Sequence, residues 1–335
     1  MSDITERLAK LSPEKRKLLE HLAREKAARG ATAGVVPGPA AAVPPAPAAP
    51  PPAAQTKGAG APALINEERF EFDEVSLTDR AKVREFYDTV SSQLDASPFA
   101  PYANFLNYGY VPNSNPSFSA VKLPESYLNK NATRLILEVI GDCELLPSHD
   151  VLDVGCGRGG ICHVLRRFFQ VRGYLGVDLS PTAVAHCQRV HRFPDTRFVE
   201  GDAQQLPAGD GSVDVVINVE SSHCYPDIFA FYREVHRVLR PGGCFLYTDL
   251  IAREKVTEYE QFLEGLGLTT ERKRDITSNV VLSCDETAAT HAKAFHEKND
   301  RGMLEMFLGG PSSRIYDAMK NGQQKYLLYK VRKIG

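Results

Sequence analysis

From residue 150 onward, short runs of β-branched and apolar residues alternate with segments whose apolar positions recur every three or four. DVLDVG (150–155) predicts a buried strand and GICHVLRRFF (160–169) a helix. GYLGVDLS (173–180) predicts the next strand, and PTAVAHCQRVHR (181–192) a helix with Pro181 in its first turn. TRFVEGD (196–202) and SVDVVINV (212–219) are two more strands. PDIFAFYREVHRVLR (226–240) places Ile228, Phe231, Val235 and Val238 on one helical face. PGG (241–243) stops that helix, and CFLYTDLI (244–251) follows as a strand. Helices are expected near 254–266, 285–298 and 312–320, before a closing strand, QKYLLYKVRK (324–333). Strands alternating with helices imply a mostly parallel, doubly wound α/β sheet covered on both faces.

Upstream, SLTDRAKVREFYDTVSSQL (76–94) is helical, with a capping-box-like Ser76 and Asp79 and apolar Val83, Phe86, Tyr87 and Val90. FLNYGYVPNSNPSFSAV (105–121) reads as loop, and 126–140 as another helix. Residues 30–63 are almost all Ala, Pro and Gly, a composition expected to form a disordered, partly polyproline-II linker. Before it, Ser12, Pro13 and the stripe Leu18, Leu19, Leu22 predict a short amphipathic helix within 1–29. Such a helix is either a docking element for a partner protein or a solvated tail.

Charge narrows the partners. Forty basic and 42 acidic side chains leave a net charge of −2, which gives no electrostatic case for nucleic acid or an anionic membrane. The seven cysteines are odd in number and form no C-x-x-C pair, so free thiols in a reducing cytoplasm are expected and no metal site. Neither a secretory signal nor a membrane-spanning run is recognisable.

The chemistry begins at VLDVGCGRGG (151–160). A strand, a glycine turn and a helix let the backbone approach a nucleotide-bearing ligand closely. Asp153 would repel a pyrophosphate and attract an ammonium, which disfavours a dinucleotide. Asp178, at the end of the second strand, is placed to bind ribose hydroxyls, and Asp202, at the end of the third, an exocyclic adenine amine. Amine, ribose and adenine together describe S-adenosylmethionine.

These stretches, with GVDLS, GDAQQLP, VDVVINVESSHCYPD and VLRPGG, resemble the ordered motifs of class I S-adenosylmethionine-dependent methyltransferases. The resemblance implies a Rossmann-like, mostly parallel seven-stranded sheet with an N-terminal helical lid (64–148), a core over 149–335 and an insertion before the last strand. It implies that Gly155 and Gly157 line the methionine moiety, with Asp153 and Asn218 near it. Asp178 would hold the ribose, and Leu179 and Ala203 would flank the adenine beside Asp202. NYGY resembles an aromatic loop that covers the cofactor, so Tyr108 is a further candidate contact. NVESSHCYPD resembles small-molecule O-methyltransferases of polyketide, nonribosomal-peptide and glycolipid pathways, including O-methyltransferase domains of polyketide synthases. LSPEKRKLLEHLAREK resembles short helices at module ends of such assembly lines, which implies a polyketide synthase or nonribosomal peptide synthetase partner and a carrier-bound acyl acceptor.

Transfer of a methyl to an alcohol needs a base to take the hydroxyl proton, and histidine suits neutral pH. His223 lies just past the fourth strand, Asp249 at the end of the fifth to orient it, and Glu220 three residues before it as a second orienter or base. C- or N-methylation, and a non-catalytic module retaining the fold, are the alternatives.

Overall fold

A computed structural model describes residues 79–96, 100, 103–114, 117–294, 310–311 and 313–335. The expected helix in 1–29, the linker 30–63 and the cap at Ser76 lie outside these residues. Seven strands form one sheet: β1 Asp150–Val154, β2 Gly173–Asp178, β3 Thr196–Glu200, β4 Val213–Val219, β5 Leu239–Ala252, β6 Leu268–Asp275 and β7 Gln324–Lys333. The described helices are α1 Arg80–Ala96, α2 Lys130–Ile140, α3 Gly160–Phe168, α4 Pro181–Val190, α5 Ile228–Val238, α6 Val256–Gly265, α7 Thr277–Ala294 and α8 Arg314–Lys320.

The strand order is β3-β2-β1-β4-β5-β7-β6. The first five strands are parallel, and β7 runs antiparallel to both its neighbours. Alternation along the strands divides the core into two layers. Val151, Val215 and Leu246 pack on one face with α2 and α3 residues such as Leu135, Ile136, Val164 and Leu165. Leu152, Val216 and Phe245 point to the other, where Phe231, Val235 and Val238 of α5 and Leu263 of α6 cover them. The chain reverses its winding direction between β1 and β4, so their carboxyl ends open the crevice where such sheets bind ligands.

The hydrophobic pattern predicts six strands, and the resemblance seven. The missing one is LTTERKRD, β6. It is an edge strand with a register shift between Thr270 and Arg272. Leu268 packs in the layer of α5 and α6, whereas Arg272 and Arg274 turn to Val139 and Glu138 of α2, so the inward positions there are arginine stems rather than branched apolar residues. Both guanidinium groups lie over the Phe118 ring, at 4.9 and 4.8 Å from its centre. Helix α7 starts at Thr277, earlier than expected, where the Asp275 carboxylate accepts from the Thr277 amide at 3.0 Å.

Candidate active site

The glycine turn is built over the end of β1. The Gly155 and Cys156 amides both bond to the Val177 carbonyl of β2, at 2.8 and 3.0 Å, which folds the loop back across the sheet edge. Gly155 has φ +70°, and a Cβ there would collide with Ser221 and Tyr225. Gly157, at φ +50°, turns its N–H onto the Asp178 carboxylate at 2.7 Å. Both positions therefore need glycine for conformation, and Gly155 for space as well. Asp178 also accepts from the Ser180 amide at 2.9 Å, and its burial raises its pKa.

Asp153 is fully buried. One of its oxygens accepts from the Tyr174 hydroxyl, and the other, Oδ1, has no protein partner. Burial pushes its pKa up to about 7. Asn218, on the adjacent strand β4, donates to the Val154 carbonyl, Ser221 and Tyr225, while its own Oδ1 is buried and equally unpartnered. A buried acceptor without a donor is costly. Two of them at neighbouring strand ends ask for a ligand that brings N–H groups.

The three expected adenine-side residues differ in their surroundings. Ala203 is buried and Leu179 half-buried. Asp202 is already engaged: Arg80 of α1 pairs with it at 2.7 Å and the Gln204 amide donates at 2.9 Å, and these contacts hold its pKa low against burial.

The expected base and orienter meet. Strand β4 pairs with β5 in register Val219↔Thr248, so the turn after β4 lies beside the end of β5. There His223 Nδ1 is 2.6 Å from Asp249 Oδ1, and the His223 amide donates to Asp249 Oδ2 at 3.1 Å. Ser222 donates its hydroxyl to the same Oδ2 at 2.5 Å. Asp249 is wholly buried, while about a quarter of the His223 side chain remains exposed (26%). Burial works against the imidazolium, but Cys224 and Asp249 beside it more than offset that, and the pKa lies well above the ordinary histidine value. Burial likewise opposes the Asp249 charge, yet His223 and Ser222 keep its pKa low. With Nδ1 facing the carboxylate, Nε2 is the nitrogen left to face an acceptor.

Glu220 sits at φ +50°, a left-handed conformation rare for glutamate. Its carboxylate accepts from the Tyr108 amide at 2.9 Å and from the Tyr326 hydroxyl of β7. Burial raises its pKa to about 8. Tyr108 therefore reaches the site through its backbone, held by Glu220. Sequence reasoning singles out neither Ser222 nor Tyr326, which complete the two carboxylate networks. Both are chemically ordinary, and only the strand register brings them in. No group of His, Cys, Asp and Glu suited to a metal occurs among the described residues.

Residues 152–247 match a family described as a methyltransferase domain. Over 230 residues the chain is 35% identical to a fatty-acid O-methyltransferase of Mycolicibacterium smegmatis, covering 67% of this chain and 81% of that protein. Over 246 residues it is 32% identical to phthiotriol/phenolphthiotriol dimycocerosates methyltransferase 1 of Mycobacterium ulcerans, covering 73% and 88%. This chain belongs to the S-adenosylmethionine-dependent methyltransferases. Among solved structures, geranyl diphosphate C-methyltransferase from Streptomyces coelicolor, in complex with S-adenosyl-L-homocysteine, superposes with a TM-score of 0.56. At 17% identity, over 76% of this chain and 97% of that one, it shares the fold.

The methyltransferase thus uses S-adenosylmethionine, and its residues suit that cofactor. The buried, unpartnered acceptors Asp153 Oδ1 and Asn218 Oδ1 are of the kind that N–H donors of a ligand such as this cofactor's ammonium satisfy. No helix among the described residues is long and apolar enough to cross a membrane.

Proposed function

We propose that this enzyme methylates a hydroxyl or enol oxygen of a natural-product acyl intermediate, of polyketide or related lipid type, with His223 as the general base. The observation that carries the reading is the His223–Asp249 pair at the open end of β4 and β5. S-adenosylmethionine supplies an electrophilic methyl on a sulfonium. Asp178, Gly155, Gly157, Asp153 and Asn218 hold the cofactor's ribose and methionine ends. Leu179, Ala203 and Asp202 shape its adenine end, and Tyr108 closes over it from the loop held by Glu220. His223 Nε2 takes the acceptor's proton as the oxygen attacks, and Asp249 stabilises the resulting imidazolium. General-base assistance of this kind is worth roughly 10²–10⁴-fold. Glu220 fixes the Tyr108 segment beside the ring.

The relatives support the substrate class, since one is named for fatty acids and the other for phthiotriol/phenolphthiotriol dimycocerosates. A carrier-bound acyl chain, delivered by a synthase that docks on residues 1–29, is the form of acceptor this reading favours. Incubation with methyl-labelled cofactor and a panel of hydroxyacyl thioesters and free hydroxy fatty acids tests it. Mass spectrometry is expected to place the label on oxygen. Label on carbon or nitrogen, or on none of the panel, overturns the proposal.

A further inference from the structure

Helix α1 carries a polar stripe. Arg80, Arg84, Asp88, Ser91 and Asp95 all fall within about 80° of arc at 3.6 residues per turn. Each meets a different part of the cofactor edge. Arg80 pairs with Asp202 beyond β3 at 2.7 Å, and Arg84 with Glu200 at the end of β3 at 2.9 Å. Asp88 accepts from the Ser180 hydroxyl at 2.6 Å and the Thr182 amide at 3.2 Å, just past β2. Ser91 and Asp95 take the guanidinium of Arg158, which belongs to the glycine loop after β1. The helix therefore lies as a strap across the ends of β3, β2 and β1 in turn.

The contacts differ in weight. The Arg80 and Arg84 side chains are 62% and 44% exposed, and exposed ion pairs contribute little. The Arg158 side chain is wholly buried, and all five of its N–H groups are engaged. Nε donates to the Ala103 carbonyl at 2.6 Å. Nη1 donates to the Ser91 carbonyl and hydroxyl at 3.0 and 2.8 Å, and Nη2 to Asp95 at 2.7 Å and His186 Nδ1 at 2.8 Å. A buried guanidinium stripped of its partners stays desolvated and charged, so breaking this set costs far more than losing an exposed pair.

The backbone of Arg158 lies between two glycines of the cofactor loop. Its carbonyl is 2.9 Å from His191 Nε2, and the preceding Gly157 amide rests on Asp178. The side chain thus belongs to the strap and the main chain to the loop. We propose that Arg158 is a latch joining helix α1 to the glycine loop, so that α1 gates exchange of the cofactor. The latch is a positioning device that rests on the cofactor site and is independent of the acceptor and of His223.

The test uses the full chain and S-adenosylhomocysteine. Asp95→Asn weakens the strap's hold on Arg158, together with the Asp95–Arg189 pair at 2.8 Å, without touching the loop, and Arg158→Lys keeps the charge but loses the fork. Each is expected to raise the dissociation rate of S-adenosylhomocysteine about tenfold or more, the usual place for such an effect. With the ligand saturating, trypsin is expected to cut sooner at Arg80, Lys82 and Arg84 in both variants. The turnover number of Asp95→Asn at saturating cofactor stays near wild type. The double variant releases ligand no faster than the faster single, because one contact set is lost in all three. Wild-type dissociation and proteolysis in Asp95→Asn, or strict additivity in the double variant, overturns the latch. If Arg158→Lys fails to fold, Asp95→Asn alone decides. Failure of the wild-type protein to bind S-adenosylhomocysteine would instead overturn the cofactor site.

Discussion

His223 Nδ1 lies 2.6 Å from a buried oxygen of Asp249, which a second oxygen ties to the His223 amide and the Ser222 hydroxyl. The carboxylate thus fixes both the ring and the turn that carries it. Replacing His223 with Ala is expected to lower turnover by roughly 10²-fold or more, with cofactor affinity unchanged. Steady-state kinetics with calorimetry of S-adenosylhomocysteine checks this. Near wild-type turnover on the true acceptor would remove the base role.

The pH profile carries a sign. A base acts when unprotonated, and the pKa of His223 is raised, so activity should climb with pH through a value above the ordinary histidine range. Asp249→Asn removes the charge that supports the imidazolium. Its rising limb should move to lower pH while the plateau falls, because the amide no longer holds the reactive tautomer. An unmoved limb would show that the ring titrates independently of Asp249.

Cofactor binding should have its own pH dependence. Asp153 is pushed up to about 7 by burial, and only its ionised form attracts an ammonium. Affinity for S-adenosylhomocysteine is therefore expected to be full above that value and to weaken as pH falls through it. Asp153→Asn should bind weakly at every pH and lose the slope. Calorimetry at several pH values reads both.

Asp178 offers a simpler measurement. Asp178→Asn retains size but loses the charge that strengthens bonds to ribose hydroxyls, at roughly 1.5–3 kcal/mol per bond to a charged group. Affinity should drop at least about tenfold, since 1.4 kcal/mol is a factor of ten. Unchanged affinity would place the ribose elsewhere.

Stability at the far edge rests on Phe118, which both Arg272 and Arg274 cover. Phe118→Ala should lower Tm by a few degrees, about 1–2 kcal/mol in a domain of this size, without altering kinetic constants. Thermal denaturation beside an activity assay separates the two.

What the chain discloses in sequence depends on where each residue's partner lies. The Rossmann-like core is legible because Val151, Val215 and Leu246 repeat a buried period, and because acids stand at strand ends. His223 and Asp249 are legible as a pair once β4 and β5 are neighbours. Strand β6 is hidden because Arg272 and Arg274 occupy core positions and read as polar. Arg158 is hidden differently: it sits within the glycine motif as an unremarkable intervening residue. Its five acceptor atoms belong to four residues from three separate stretches, Ser91 and Asp95, Ala103, and His186. No local period marks such a residue.

The sheet order also makes some pairings depend on others. Strand β6 borders only β7, and β7, the last of the seven along the chain, lies between β5 and β6. Until β7 arrives, β6 has no partner and the edge of β5 away from β4 stands open. The parallel half, with the glycine loop and the β4–β5 turn, can assemble first. The Glu220 network must wait, because Tyr326 comes with β7. Completion of the Glu220 network thereby depends on a long-range pairing, the slow kind of contact in chain collapse.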